Sequence, residues 1–286
     1  MKDKVNKLLA FYGALGRPLT IMEILRFSQG EFTKINSILE KEVKNGAIIE
    51  NNGFFILDKF KTTDSLIRRE QDFLWDKKWQ KLLCLRRWFD FLPFFDFVLV
   101  SGSMAFGNVS EKSDFDVLLG VKKGRIFIAR YFAHFVFSLF DARRLDDEEG
   151  SSPDKLCFNH FVTGETFSKP PFNLYRHELY RNLIPFWGKK EVIKEFLRVN
   201  KWAEMSLDSL NDLRYVPIRK NALNVLITVV LNGKFGDFLE NKIFAPIAKQ
   251  RLNRYLKKRQ FIGRSVVSDI ELEFHFDLSG EEKFGG

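Results

Sequence analysis

A chain of 286 residues exceeds the usual size of one domain, so two or three folding units are expected. Its 45% hydrophobic and 29% charged residues exclude wholesale disorder and collagen-like architectures. The balance of 46 Lys and Arg against 37 Asp and Glu, a net charge of +9, points to an anionic partner such as nucleic acid, nucleotide or a membrane surface. The only cysteines are Cys84 and Cys157, and the four histidines are scattered; this argues against a disulfide scaffold or a zinc motif and suits a reducing, cytoplasmic compartment. Aromatics are lopsided, with 32 Phe against 5 Trp and 6 Tyr. Phe has no polar tip to satisfy, so most of these rings are expected to fill cores, with a minority lining a groove.

The first sixty residues have a pattern of their own. Leu8, Leu9, Tyr12 and Leu15 recur at helical spacing, Gly16-Arg17-Pro18 breaks the run, and Thr20 is placed to cap a short second helix that Gly30 ends. A third amphipathic run carries Phe32, Ile35, Ile38, Leu39 and Val43 on one face and stops at Asn45-Gly46. Ala47–Glu50, Asn51-Asn52-Gly53 and Phe54–Leu57 read as strand, tight turn and strand, because Asn-Gly readily takes the positive φ angles of a hairpin turn. Met1 leads into this amphipathic stretch rather than into the apolar run of a signal peptide. Three helices followed by a hairpin resemble a winged helix over residues 1–60. The resemblance implies a DNA-reading face at Lys34, Asn36, Ser37 and Lys41. Nine basic and seven acidic residues through Lys59 make a weak electrostatic footprint, however, and a protein-docking or purely structural role is an equal alternative.

Further along, Asp64 is placed to cap a connector helix through about Phe91. Phe97–Val100 reads as an apolar strand entering Ser101-Gly102-Ser103, Phe115–Val121 as a second strand, Arg125–Leu145 as a helix and Lys155–Val162 as a third strand. This alternation indicates an α/β unit. The greasiest segment, Ile126–Phe140, contains Arg130 and His134 and is shorter than the roughly 20 apolar residues of a spanning helix. It is expected to be buried or interfacial, with no membrane partner. Asp146–Pro153 reads as a solvated acidic loop. From Asn173 onward the pattern is mostly helical, and Ser265–Phe284 is a polar segment that has room for a strand and a frayed tail.

The informative stretch runs from Val98 to Leu119. Gly102 lets the backbone turn sharply off a strand, and Ser103 offers a hydroxyl and an amide at the start of a short helix, a place that favours phosphate. Gly107 reopens the chain, and Ser113 precedes a strand bearing Asp114 and Asp116. Side chains at i and i+2 of a strand share one face, so both carboxylates point together while Phe115 faces the core. Two like charges held together favour a divalent cation, and with phosphates beside them Mg2+ is the natural choice.

These residues together resemble the nucleotidyltransferase superfamily, the group with the DNA polymerase β type of catalytic domain: a strand entering Gly102-Ser103, a spacer, then Asp114-Phe115-Asp116 on the next strand. The resemblance implies transfer of a nucleoside monophosphate from an NTP, expected to be ATP, to an acceptor, with pyrophosphate released. Gly102, Ser103 and Ser113 would bind the nucleotide phosphates, and Asp114 and Asp116 would carry Mg2+. The third acidic residue of the family lies on the following strand, and here Asn159 stands in its place; an amide cannot take a proton. Asn159 is a weak ligand in a working site, or His160 or an acid of residues 146–149 acts as base, or the chain binds nucleotide without efficient transfer. On a regular strand His160 points away from Asn159 and reads as structural.

The expected architecture is therefore mixed α+β and α/β: a winged helix over 1–60, a connector helix plus nucleotidyltransferase domain with a mixed sheet over 61–172, and a mostly helical C-terminal domain with an acidic tail over 173–286. His177 and Arg181 share a helix face that reads as solvated. Trp187 and Trp202 read as helix packing rather than base stacking, and Asn200 and Trp202 fall where two-domain members of the superfamily set a helical partner against the nucleotide cleft. The charge is local: Arg219–Arg264 alone carries eleven basic residues against Asp237 and Glu240, whereas 265–286 is acidic. The basic segment either attracts nucleotide or a polyanionic acceptor such as nucleic acid, or is a solvated face paired with the tail. Two functions stay open: an active nucleotidyltransferase with unidentified acceptor, and a catalytically weakened nucleotide-binding regulator or DNA-binding adaptor working through the winged helix.

Overall fold

The computed structural model describes residues 1–61, 65–144, 152–169, 173–205, 207–219, 221–258 and 265–274. It is a mixed α/β protein combining a three-stranded antiparallel sheet with a seven-stranded mixed sheet, and neither closes into a barrel among the described residues. Its contacts divide it into two units, Met1–Lys77 with Gly107–Ser110, and Lys78–Phe106 with Glu111–Gly286.

In the first unit, α1 (Lys2–Ala14) turns Val5, Leu8, Leu9 and Tyr12 inward, all buried. A short β1 (Leu19–Thr20), not foreseen from the pattern, leads into α2 (Ile21–Ser28). Thr20 caps this helix: its hydroxyl accepts from Glu23 N at 3.3 Å, and the Glu23 carboxylate accepts from Thr20 N at 2.8 Å. Then come α3 (Phe32–Lys44), β2 (Ile48–Asn51) and β3 (Phe54–Leu57). The tight turn between the two strands has φ of 54° at Asn52 and 83° at Gly53, the conformation that Asn-Gly tolerates best. β1 and β2 flank β3, both antiparallel to it. The helix α4 (Ser65–Leu85) begins in this unit, and the expected cap Asp64 lies outside the described residues. Buried Arg68 of α4 donates to Pro18 O at 2.6 Å and to Glu23 at 2.8 Å, tying α4 to the start of α2. On α3, Lys34 pairs with Glu31 at 3.0 Å and Asn36 donates to Glu40 at 2.7 Å.

In the second unit α4 ends in a 3-10 stretch, Arg86–Phe91. It is followed by β4 (Phe95–Val100), α5 (Gly102–Phe106), β5 (Phe115–Val121), α6 (Ile126–Ser138) and β6 (Leu156–Val162). Next are α7 (Leu174–Arg181), β7 (Ile184–Gly188), α8 (Lys190–Val199), β8 (Val216–Pro217), α9 (Ala222–Leu231), α10 (Lys234–Phe238), a π-helical turn Leu239–Phe244, α11 (Ala245–Lys258), β9 (Ser265–Val267) and β10 (Glu271–Phe274). The sheet order is β8-β7-β4-β5-β6-β10-β9. The β5–β6 pair, crossed over by α6, and the β7–β8 pair are parallel, and the remaining neighbours are antiparallel. On one side of the sheet Phe97, Leu99 and Leu118 pack with Tyr180 of α7 and Ile193 and Phe196 of α8. Phe137 of α6 packs with Phe158 and Phe89 at ring separations of 5.4 and 4.8 Å. Each such ring removed from water contributes about 1.5–3 kcal/mol.

Two expectations need correction. The stretch from Asn173 to Arg264, read as mostly helical, supplies two strands to this sheet, β7 and β8, while β9 and β10 fall in the segment from Ser265 where a strand was expected; the run Ile184–Gly188 becomes a strand by pairing with β4. The helix expected over Arg125–Leu145 ends at Ser138. Asp141 takes φ of 49°, and the backbone beyond it is claimed by β6: Leu156 N donates to Ala142 O at 2.8 Å and Arg144 N to Leu156 O at 2.9 Å. A tertiary hydrogen-bond partner overrides the local helical preference.

Candidate functional site

The end of β4 and the start of β5 are antiparallel neighbours, with Val100 opposite Val117. The turn leaving β4 therefore lands on the acidic pair, and Ser101 N donates to Asp116 O at 2.9 Å. Gly102 has φ of +59°, and a Cβ there would stand 2.2 Å from Asp116 Oδ2. Both the backbone conformation and the close approach require glycine at this position. Ser103, the second residue of α5, is half-buried.

Phe115 is fully buried while Asp114 and Asp116 on either side of it are half-exposed, as the two-residue pleat dictates. Oxygens of Asp114 and Asp116 and the sulfur of buried Cys157 lie within 4.8 Å of one another. β6 runs parallel to β5 with Asp116 opposite Cys157 and Leu118 opposite His160, the register slipping by one residue between them. Asn159 is brought to the acidic pair and donates from Nδ2 to Asp116 Oδ1 at 3.4 Å. His160, one residue on, has its ring among the buried Glu271 and Glu273 carboxylates, within 4.8 Å of them. Those carboxylates are in turn paired with Lys169 and Arg176, so His160 belongs to a buried ionic cluster on β6 and β10.

Three side chains around the acidic pair have no counterpart in the sequence motif. Arg144 donates from Nη1 to Asp114 Oδ2 at 2.6 Å. Burial disfavours its charge, but Asp114 foremost, then Cys157 and Asp116, outweigh that and hold the guanidinium pKa above its ordinary value. Its position depends on the break in the chain at Asp141, which helical periodicity does not reveal. Lys78 of α4 is buried, and its Nζ donates to Ser113 O and Asp154 Oδ1, each at 2.8 Å, and to Glu111 O at 3.3 Å. Ser113 thus contributes its carbonyl to fastening the loop that delivers Asp114. Asp154 is partly desolvated, which would raise its pKa, yet hydrogen bonds from Lys78 and Lys81 hold it below the usual carboxylate value. Lys78 had a legible signal, a lone cation on the apolar stripe with Trp79 and Leu82. Cys157 is the third.

The remaining candidates serve the core. Trp187 is buried and donates from Nε1 to Asp90 at 2.8 Å. Asn200 is fully buried and donates to Phe167 O and Phe196 O at 2.6 and 3.0 Å. Trp202 packs on Tyr180 and donates to Asn200, while His177 and Arg181 pair with Glu178. The acidic residues 146–149 lie outside the described residues. Comparison of the chain with protein-family models, curated proteins and solved structures found no match.

Proposed function

We propose that the chain is a magnesium-dependent nucleotidyltransferase of the DNA polymerase β type, moving a nucleoside monophosphate from an NTP, with ATP the expected donor, to an acceptor and releasing pyrophosphate. The winged-helix-like segment 1–60 is read as an accessory domain. The observation that carries this reading is the closure of Gly102 on Asp116, which sets a turn bearing the Ser103 amide and hydroxyl beside two converging carboxylates. The donor set suits magnesium: Asp114 and Asp116 offer hard oxygens, whereas the Cys157 sulfur is a soft donor that magnesium does not seek. Held by Asp114 and Asp116, the ion would neutralise charge on the α-phosphate.

Around that centre the chain's own groups have distinct tasks. Gly102 and Ser103 are assigned to the β and γ phosphates, and Arg144 balances the acidic pair. Asn159 orients Asp116 through its amide N–H and takes no proton, so the acceptor's proton falls to a carboxylate of the pair or to water. The acceptor oxygen then forms its bond to the α-phosphorus as the bond to the β-phosphate oxygen breaks, and pyrophosphate carries away the electron pair.

The test is incubation with α-labelled NTPs and magnesium, alone and with cell extract, beside an Asp114→Asn, Asp116→Asn double variant. Label transfer by the native chain that disappears in the double variant supports the reading; transfer that survives it defeats the assignment. The amide at Asn159 favours a second reading, a nucleotide-binding regulator with weakened chemistry. Nucleotide binding without pyrophosphate release under every acceptor condition would select that one.

A further inference from the structure

The second unit leaves a large apolar surface uncovered. In α9 (Ala222-Leu-Asn-Val-Leu-Ile-Thr-Val-Val-Leu231), Leu223, Val225, Leu226, Val229 and Val230 are each 51–69% exposed. A helix apolar nearly all round is ordinarily buried in protein or in lipid. Phe235 and Phe238 of α10 follow, each 55% exposed, and then Ile243 and Ile247. On α6, Tyr131, Phe135 and Leu139 form a further exposed stripe at four-residue spacing, and Tyr131 meets Phe244 of the π-helical turn at 4.6 Å. Most Phe side chains elsewhere in this unit are in its core, so these exposed rings are concentrated rather than scattered.

The charge on the same helices has one sign. Residues 222–258 contain only two acids, and both are engaged: Asp237 pairs with Arg125 at 2.7 Å, and buried Glu240 accepts from Phe127 N and Ile128 N at 2.9 and 2.8 Å, capping α6. Lys234, Lys242, Arg251, Arg254 and Lys257 are exposed and make no ion pair among the described residues. Between α6 and α11 a cavity of about 300 Å³ opens beside Phe135 and Ile247, and its lining among the described residues includes Arg130, His134, Arg143 and Arg251. Burial, followed by the fields of Arg130, Arg143 and Arg251, holds the His134 pKa well below its ordinary value. The cavity therefore favours an anion while its rim is greasy.

We propose that this face docks on an anionic phospholipid bilayer, with α9, α10 and the exposed stripe of α6 set among the acyl chains near the headgroups and the lysines and arginines on lipid phosphates. Length decides between lying on and crossing. The ten residues of α9 make a rod of about 15 Å, half of a hydrocarbon core of about 30 Å, and the chain bends by 74° before α10 and α11 continue. No single helix among the described residues is long and apolar enough to cross; α9 and Lys234–Lys257 reach that length only together, and the 74° bend between them suits a pair lying in the interface rather than a straight span. Apolar burial and attraction to anionic lipid then act together.

The test is flotation of the full-length chain with vesicles of phosphatidylcholine alone or mixed with phosphatidylglycerol. The expected result is capture by the mixed vesicles, weakened by salt, with little capture by phosphatidylcholine. A Leu226→Glu, Val229→Glu variant should lose affinity by on the order of a hundredfold, since each side chain withdrawn from lipid is worth about tenfold or more. Arg251→Glu should weaken binding to the mixed vesicles only. Leu213→Glu, at a leucine that is 97% exposed outside these helices, should behave like the native chain and shows that an added carboxylate alone is not responsible. No capture by anionic vesicles, or capture that the α9 variant leaves unchanged, overturns the proposal. So does a concentration-dependent dimer that the α9 variant dissociates without any vesicle binding, since the face would then belong to a second copy of the chain.

Discussion

Replacing Gly102 with alanine probes the contact on which the site is built. Two penalties are separable from the geometry. An alanine at φ of +59° pays for the left-handed backbone, about 1–2 kcal/mol. Its Cβ would also stand 2.2 Å from Asp116 Oδ2 and 3.0 Å from Asp116 Cβ, and relieving such an overlap in a packed site costs about 1–3 kcal/mol more. Gly124 supplies the control: its φ is +70° and nothing lies within 4 Å of the place a Cβ would take, so Gly124→Ala carries the first penalty alone.

Urea unfolding followed by tryptophan fluorescence, with Trp79, Trp88, Trp187 and Trp202 all in the second unit, reads both variants. Gly102→Ala is expected to be destabilised by about 1–3 kcal/mol beyond Gly124→Ala. In an Asp116→Ala background the 2.2 Å clash with the carboxylate oxygen is gone while the 3.0 Å contact with the residue-116 Cβ remains, so the excess should shrink to a small remainder, a coupling that a double-mutant cycle isolates. Under the proposed function, nucleotidyl transfer by Gly102→Ala should fall by on the order of a hundredfold, because the displaced carboxylate sits about an ångström from its working place. Equal penalties at Gly102 and Gly124, or an excess that is undiminished without the Asp116 carboxylate, would refute the close approach and the site geometry derived from it.

Lys78→Met removes a buried cation from two carbonyls and Asp154 and should destabilise the second unit by about 1.5–3 kcal/mol in the same urea experiment. Arg144→Gln lifts a positive charge off Asp114 and should tighten Mn2+ binding, measured by paramagnetic broadening or calorimetry, on the order of tenfold; unchanged affinity would mean that Asp114 does not hold the ion. Glu23 is partly desolvated, but its bonds from Arg68 and Thr20 win and hold its pKa below the usual carboxylate value. Its contribution is therefore present above the unfolded value of about 4.3 and lost as pH falls through the lower folded one. The protection factors of α2 amides, with exchange referred to the intrinsic rate at each pH, should fall on acidification in the native chain and show a shallower pH dependence, from a lower starting protection, in Glu23→Gln.

What the residues disclose in order along the chain, and what they withhold, follows from the range of the forces involved. Thr20 capping α2, the Asn52-Gly53 turn and the Asp114-Phe115-Asp116 pleat are local: each is set by backbone geometry and by neighbours within a few residues. Asn159 was legible one level up, because strand alternation places it on the face opposite His160 and the structure puts it 3.4 Å from Asp116. Arg144 was not, because its place on Asp114 depends on β6 taking the backbone of 142–144 out of a helix, a long-range pairing that no window on residues 125–145 contains. The same holds for Ile184–Gly188, a strand by virtue of β4.

The apolar helix α9 is the instructive extreme. The sequence leaves the basic residues of Arg219–Arg264 open as a surface for nucleotide or a polyanionic acceptor, or as a solvated face paired with the acidic tail. Only the fold reveals that both acids on these helices are committed, Asp237 to Arg125 and Glu240 to α6, while Leu226, Val229 and Phe235 face outward. Charge of one sign beside exposed hydrocarbon is a combination that a nucleic acid satisfies only in part, since phosphates answer the lysines and leave the aliphatic side chains in water. An anionic bilayer answers both, which is why the two properties are more informative together than the net charge of +9 is alone.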